Sequence, residues 1–151
     1  MAKAERTETY DVPIEKFYQA IVDYKSYPQF ADGVKGIEVL SQDENGATVK
    51  FNLNIIKEIT YTIKLANKKN ESVQWSLVSG DMMKVNNGGW KLKDLGNGKT
   101  QATYHLEVEL KGFFPGLGMI EKTMVATNLP MTMNAFAKRA ASLYGGSYER
   151  N

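Results

Sequence analysis

The chain has 151 residues, of which 42% are hydrophobic and 24% charged, a composition typical of a globular protein and not of a disordered or collagen-like one. With 19 Lys and Arg against 17 Asp and Glu, the net charge of +2 gives no strong basic field for capturing nucleic acid. The absence of Cys and the single His exclude disulfides, thiolate chemistry and the usual zinc sites. We expect one domain over residues 1–151 and no metal.

Neither a membrane span nor a signal peptide is predicted. No stretch of the chain approaches the roughly 18 consecutive apolar residues that a membrane-spanning helix needs. The first six residues are mostly charged or small and contain no apolar signal core. The expected location is therefore the cytoplasm.

The first predicted elements are a strand over residues 4–12 and a helix that follows it directly. Asp11 is placed to cap this helix, and Pro13 suits its first turn. Apolar residues then recur at spacings of three and four, which predicts an amphipathic helix with one buried face. A short second helix or a turn is expected over residues 23–30.

Between residues 35 and 112 the hydrophobic period changes to two, which predicts a meander of antiparallel strands. Asn45-Gly46 is the clearest turn. The apolar residues of the strands 49–55 and 59–65 are all odd-numbered. Because cross-strand neighbours must share a face, the connection between these strands should contain an odd number of residues.

The last predicted strand alternates inward Tyr104 and Leu106 with His105 and Glu107. This parity places His105, the only unperturbed base near neutral pH, on the polar face that should meet solvent. A nucleophilic triad is therefore not expected, and no Asp or Glu is found among the predicted inward residues. Any enzyme built on this pattern has to use tyrosines, tryptophan and ordered water.

The C-terminal region is predicted to be a long helix that follows an apolar, glycine-rich loop. The loop covers residues 113–118 and lacks both the third glycine and the βαβ context of a dinucleotide-binding loop. An apolar stripe with a period near 3.6 then continues to Leu143. Pro130 should kink or interrupt this helix.

Several local runs resemble the START-like (SRPBCC) superfamily, in particular its polyketide cyclase/dehydrase and coenzyme Q-binding proteins. The similar runs are Val12–Tyr18, Asp23, Tyr27–Phe30, Gly89–Trp90 and Met133–Ala140. The resemblance covers nearly the whole chain and implies an α+β helix-grip fold. In that fold a curved antiparallel sheet of about seven strands, in the order β-α-α-β6-α, wraps around the last helix and encloses a cavity.

The predicted inward residues are the candidates for lining such a cavity, although each of them could simply fill a core. Apolar walls with a few polar tips suit a sterol, quinone, polyketide or acyl chain. The hydroxyls of Tyr61 and Tyr104 could orient a ligand, or assist proton transfer in an enzyme. The candidate ligand-binding residues are Phe51, Leu53, Tyr61, Ile63, Trp75, Trp90, Tyr104, Leu106, Met124, Leu129, Met133 and Phe136.

Two apolar segments fall where loops are expected, and exposed apolar clusters usually mark an interface. The residues are Met82, Met83, Phe113, Phe114 and Leu117. They are candidates for a lid at the cavity entrance that also touches a membrane or a partner protein. The alternative is that these segments fold onto the protein's own core.

Three functions are consistent with this sequence. The leading hypothesis is binding or transport of a hydrophobic small molecule, without a cofactor and without nucleic acid. The second is an aromatase/cyclase-type enzyme that acts on a polyketide or related lipid. The third is an interaction protein similar to the ribosome-associated toxins of the same superfamily, against which the near-neutral net charge weighs.

Overall fold

A computed structural model describes residues 2–31, 33–55, 57–113 and 115–143, with the side chains of residues 55, 127 and 128 excepted. Its seven strands form one antiparallel sheet in the order β1-β7-β6-β5-β4-β3-β2. The strands are β1 (Ala2–Tyr10), β2 (Val34–Asp43), β3 (Gly46–Ile55), β4 (Lys57–Lys68), β5 (Ser72–Gly80), β6 (Met83–Gly96) and β7 (Lys99–Leu110).

The helices follow the predicted chain order. They are α1 (Ile14–Val22), a 3₁₀ turn (Tyr24–Ser26), α2 (Tyr27–Phe30), α3 (Leu117–Lys122), a π-helical segment (Thr123–Thr127) and α4 (Asn128–Leu143). The curved sheet and the long C-terminal helix form the α+β helix-grip fold that the sequence predicts.

The predicted cap of α1 is wrong. The residue before the helix is Pro13, which has no side-chain capping hydrogen bond, and its carbonyl accepts the N–H groups of Lys16 and Phe17 at 3.1 and 3.0 Å. Asp11 therefore lies two positions too early for its carboxylate to cap the first turn. Its Oδ1 atom lies 3.6 Å from Lys99 Nζ at the start of β7 instead.

The register of β3 and β4 confirms the parity argument. Phe51 pairs with Tyr61, and their rings stack with centroids 5.3 Å apart. The pairing continues to Ile55 opposite Lys57, so both apolar sets lie on the same inner face, as an odd-numbered connection requires.

The core lies where the inner face of the sheet meets α1 and α4. Trp90, which is 1% exposed, contacts Phe17 of α1 and Phe136 of α4 with ring centroids 5.4 and 5.3 Å apart. Both contacts are edge-to-face, the geometry that the ring quadrupoles favour. Trp90 thus connects the sheet to the N-terminal and the C-terminal helices.

The C-terminal helical region is interrupted, as Pro130 predicted. Pro130 is the third residue of α4, directly after the π-helical segment. A proline has no N–H to donate to the carbonyl four residues earlier, so regular α-helical bonding cannot continue through it. The π-helical segment, whose turn is wider than that of an α-helix, ends directly before α4, where this hydrogen-bond pattern changes.

A buried carboxylate, Glu121, connects α3 to the sheet. Glu121 is only 5% exposed. Its Oε2 atom accepts a hydrogen bond from the backbone N–H of Leu110 at 2.7 Å. This hydrogen bond lies at the end of β7, the strand that precedes α3. It connects the end of β7 to α3, and no pattern in the sequence indicated it.

Replacing Glu121 with Ala is expected to lower the free energy of unfolding by about 1–3 kcal/mol, because the Leu110 N–H is left buried without that acceptor. Chemical denaturation at pH 7 measures the loss. Lys122→Ala, at the adjacent exposed position, is the control and should be nearly neutral. Equal stability of the two variants would contradict the structural role of Glu121.

Candidate ligand cavity

A cavity of about 120 Å³ lies between the inner face of the sheet and the helices. Strands β2 to β7 supply most of its wall, and α2, α4 and the π-helical segment supply the rest. Its sixteen described lining residues are Tyr27, Ala31, Val34, Phe51, Leu53, Tyr61, Ile63, Leu65, Trp75, Asn86, Trp90, Tyr104, Leu106, Met124, Thr132 and Phe136. None of these sixteen residues carries a charge at neutral pH.

Most of the predicted ligand-binding residues lie at this cavity. The ten that line it are Phe51, Leu53, Tyr61, Ile63, Trp75, Trp90, Tyr104, Leu106, Met124 and Phe136. Leu129 and Met133 do not line it: they are buried to 3% and 0% exposure in the core. Helical spacing predicted that these two residues face inward. It cannot distinguish a residue that lines a cavity from one that fills the core.

Part of the wall is half-buried, which marks where the cavity approaches solvent. Ala31 and Val34 flank the start of β2, and Thr132 lies on α4. Trp75 and Leu106 are also half-buried, on β5 and β7. These half-buried residues are the part of the described wall from which solvent is least excluded.

Asn86 and Tyr27 are polar lining residues that the sequence analysis did not assign to the site. Asn86 is 3% exposed, and its Oδ1 atom accepts the indole N–H of Trp75 at 3.0 Å. The Tyr27 hydroxyl donates to the carbonyl of Ile21. Counting back in twos from inward Trp90 would have placed Asn86 on the inner face.

The indole of Trp75 packs against Gly88 on the neighbouring strand, where there is no room for a side chain. Gly88 pairs with Trp75 across β5 and β6. A Cβ atom on Gly88 would lie 2.5 Å from Trp75 Cζ2 and 2.7 Å from the carbonyl oxygen of His105. Any larger residue would therefore displace the indole or separate the strands.

Burial keeps the tyrosines of the cavity protonated. Desolvation raises the pKa of both Tyr61 and Tyr104 far above the usual value near 10. The pKa of Tyr27 is likewise raised, mainly by burial and further by the neighbouring Tyr24 and Tyr104. At neutral pH these phenols are hydrogen-bonding groups and not bases.

His105 lies on the outer face of the sheet, as predicted, but it is half-buried. It pairs with Glu5 on β1 and with Gly89 on β6. A Cβ on Gly89 would lie 3.1 Å from His105 Cε1, so the imidazole covers the space beside this glycine. His105 therefore points away from the cavity.

The candidate lid residues lie in different environments. Met83 is fully buried on β6, so its assignment to a lid is wrong, and the alternative of a segment folded onto the protein's own core holds for it. The strand begins one residue earlier than the loop pattern indicated. Met82 and Leu117 are half-buried, and Phe113 is fully exposed. Phe114 lies outside the described residues.

Among the described residues no group of three or more His, Cys, Asp or Glu side chains could hold a metal ion. In the same part of the chain, no helix has both the length and the apolar character needed to cross a bilayer.

Solved structures share this architecture of a curved antiparallel sheet and a long C-terminal helix, which defines the class as helix-grip proteins. A START superfamily protein from Mycobacterium smegmatis superimposes with a TM-score of 0.79 at 21% identity, covering 93% of this chain and 98% of that one. The aromatase/cyclase Zhui from Streptomyces sp. R1128 superimposes with a TM-score of 0.76 at 12% identity, covering 95% and 93%. At these identities the likeness concerns the fold.

Residues 10–137 match the family model described as polyketide cyclase / dehydrase and lipid transport. The chain belongs to this family. It is 30% identical over 149 residues to the persistence and stress-resistance toxin PasT of Escherichia coli O6:H1, and 29% identical to the ribosome association toxin RatA of Escherichia coli strain K12. Both alignments cover 95% of this chain and 90% of the relative.

Proposed function

We propose that this protein binds a hydrophobic small molecule in the cavity between the sheet and α4. The observation that carries the proposal is the composition of the described wall, which is apolar and aromatic with uncharged polar groups at Tyr61, Asn86 and Tyr104. Small-molecule sites are typically concave, mostly apolar and fitted with a few polar groups that orient the ligand.

The cavity volume limits what can enter without rearrangement. At about 120 Å³ the space is close to that of an engineered cavity of roughly 150 Å³ that binds benzene. It therefore accommodates one ring or a short acyl segment. A longer ligand would place its remainder along the half-buried wall residues between α4 and the sheet.

Binding is favoured over cyclase chemistry by the state of the tyrosines. A general acid works best when its pKa lies near the operating pH, whereas burial raises the pKa of Tyr61 and Tyr104 far above it. These hydroxyls are suited to donating stable hydrogen bonds to a ligand. Turnover of a polyketide by purified protein, abolished by Tyr61→Phe, would instead favour the enzyme.

Native mass spectrometry of protein purified from its own host, followed by organic extraction, tests the proposal directly. Leu106→Phe adds volume at the cavity wall and is expected to weaken binding of single-ring ligands at least about tenfold, since an extra ring competes for the same space. Leu40→Phe, at a residue 52% exposed, is the matched control. The proposal is refuted if no apolar compound co-purifies with the protein and no added apolar compound binds to it.

We also propose that Phe113 contacts a lipid surface during ligand exchange. Phe113 is fully exposed, Met119 is 67% exposed, and the nearby Lys122 is exposed as well. Apolar tips beside a cation suit the interface of an anionic membrane.

Phe113→Ser is expected to reduce association with anionic vesicles about tenfold, the effect of removing one buried aromatic side chain from the lipid contact. Ligand transfer from vesicles should slow as well. Val78→Ser, at another exposed apolar residue, serves as the control. Unchanged vesicle association and unchanged transfer would both contradict the lipid contact.

A second candidate function is association with the ribosome, as the name of the relative RatA states for that protein. On the outer face of the sheet, the exposed residues Lys50, Lys64 and Lys91 lie on β3, β4 and β6. Within the described residues none of these three lysines forms an ion pair with a carboxylate. Glu38 lies opposite Lys50 across β2 and β3, so the basis for phosphate contacts is these three exposed ammonium groups and not the net charge of the face.

Reversing the charge of Lys50, Lys64 and Lys91 together is expected to reduce co-sedimentation with ribosomes and to flatten its salt dependence. The control reverses three exposed lysines in the helical segments, Lys25, Lys122 and Lys138. Failure of the unmodified protein to co-sediment at low salt would eliminate this function. Equal losses in both variants would assign the effect to net charge alone.

A further inference from the structure

A second concave surface, of about 550 Å³, lies between α2 and α4 on the side of α4 that meets solvent. Its described lining residues include the apolar Phe30, Met131 and Ala135 and the basic Lys138 and Arg139, and none of them is acidic. We call this surface the α4 groove. An apolar wall beside two cations is complementary to an anion that carries an apolar group.

Arg139 is held in the α4 groove without an anionic partner. Its guanidinium carbon lies 5.6 Å from the centroid of the Phe30 ring, within the range of a cation–π contact. In the described part of the chain its Nε atom is buried with no hydrogen-bond partner, and neither Arg139 nor Lys138 forms an ion pair. The Phe30 ring therefore orients a half-buried cation whose charge is not neutralised by any described side chain.

The α4 groove is adjacent to the cavity between the sheet and α4. The Phe30 ring contacts Phe136 edge-to-face with centroids 5.0 Å apart, and Phe136 lines the cavity. Ala31 follows Phe30 in the chain and Thr132 follows Met131, and both of these half-buried residues also line the cavity. Phe30 thus lies between the Arg139 guanidinium and the cavity wall.

We propose that one amphiphile occupies the cavity and the α4 groove together, with its apolar chain in the cavity and a carboxylate or phosphate head group at Arg139 and Lys138. This inference rests on the proposed binding function and adds the chemistry of the head group. A fatty acid and a lipid phosphate share that chemistry.

The groups in the α4 groove suit such a head group. The planar fork of N–H donors on a guanidinium matches two oxygen atoms of a carboxylate or a phosphate, and the exposed Lys138 adds a second positive charge. The cavity of about 120 Å³ holds only a short acyl segment. The rest of a longer chain lies beside Phe30 and Met131 and connects that segment to the head group.

Decanoate and decanol test this proposal because they have the same chain length and differ in the charge of the head group. Isothermal titration calorimetry at pH 8 and low salt measures both affinities. Arg139→Gln is expected to weaken decanoate binding about tenfold, the effect of losing a charge-assisted hydrogen bond, and to leave decanol binding within about twofold. Arg139→Lys keeps the charge but not the planar fork and should give an intermediate loss.

The matched control is Lys69→Gln, which removes one positive charge at an exposed position in the turn between β4 and β5. Lys69 lines neither the cavity nor the α4 groove, so the ratio of the two affinities should not change. Raising the salt concentration from about 0.05 to about 0.5 M should weaken decanoate binding and not decanol binding, because it shortens the screening length about threefold.

Two further measurements locate the chain and identify the head group. Leu106→Phe, at the cavity wall, should weaken decanoate and decanol alike, since both chains lie in the cavity. Decyl phosphate replaces decanoate in a second titration of Arg139→Gln. A larger loss for the phosphate supports a lipid phosphate as the ligand, and a larger loss for decanoate supports a fatty acid.

The outcomes separate this inference from the function on which it rests. If neither decanoate nor decanol binds the unmodified protein, the proposed binding function fails. If both bind and Arg139→Gln leaves their ratio unchanged, or Lys69→Gln lowers it equally, binding stands and the head-group site is overturned. Decanoate binding that Leu106→Phe does not weaken would show that its chain lies outside the cavity, which also overturns the inference.

Discussion

Trp90→Ala is expected to lower the free energy of unfolding by about 3–5 kcal/mol, the range for removing a large aromatic side chain from a core. Trp90 is 1% exposed and contacts Phe17, Tyr104 and Phe136 with ring centroids 4.6 to 5.4 Å apart. The surrounding sheet and helices cannot collapse into so large a space, so the transfer and cavity costs add. Guanidinium denaturation followed by circular dichroism measures the loss.

Trp75→Ala is the matched comparison, because both tryptophans line the same cavity. Trp75 is half-buried, so its removal eliminates less buried apolar surface. The Trp75→Ala variant should therefore be more stable than Trp90→Ala. Trp90→Ala should also enlarge the cavity and admit ligands larger than one ring. Equal stability losses would contradict the assignment of Trp90 as the centre of the core.

Alkaline pH is expected to unfold the protein through its buried tyrosines. Burial raises the pKa of Tyr24 to about 12, and the pKa values of Tyr27, Tyr61 and Tyr104 are raised as well. Below pH 10 these phenols are protonated in both the folded and the unfolded chain, so their contribution to stability is fully present. Above pH 10 the unfolded chain releases protons that the folded protein retains, and stability falls as pH rises.

The expected slope for the four tyrosines together is roughly 5 kcal/mol per pH unit above pH 10, until the raised pKa values are reached. Since native domains are typically stable by about 5–15 kcal/mol, unfolding should be complete near pH 11 to 12. Denaturation at several pH values and tyrosine absorbance at 295 nm follow both processes. Tyr24→Phe should reduce the slope by about a quarter; a flat stability from pH 9 to 11.5 would contradict the prediction.

The positions of Phe51, Tyr61 and Tyr104 on the inner face could be predicted from the sequence because alternation along a strand is a local property. Side chains at i and i+2 share a face whatever the rest of the chain does. The same alternation identified the outer-face position of His105. It could not show that His105 is half-buried, because that depends on the space beside Gly89 on the next strand.

Asn86 shows where local patterns are insufficient. Alternation back from Trp90 places Asn86 on the inner face, but a polar side chain is stable there only with a hydrogen-bond partner. The Trp75 N–H that supplies this partner lies on the neighbouring strand. For Met83 the error is the opposite one, because a residue predicted to be exposed is buried. Two successive methionines resemble an exposed apolar loop, whereas a register shift between β6 and β7 at Met83 and Val85 accompanies the burial of Met83.

The order of the elements, the seven strands, the inward faces and the interruption of the last helix could be predicted from the sequence, because they follow from the hydrophobic period, the turn residues and the missing N–H of proline. Only the packed fold shows which inward residues enclose a cavity, which of them fill the core, and that Asn86 accepts the indole N–H of Trp75. These properties depend on distances between β4, β5, β6 and α4, and residues far apart in the chain set those distances only when all four elements are packed together.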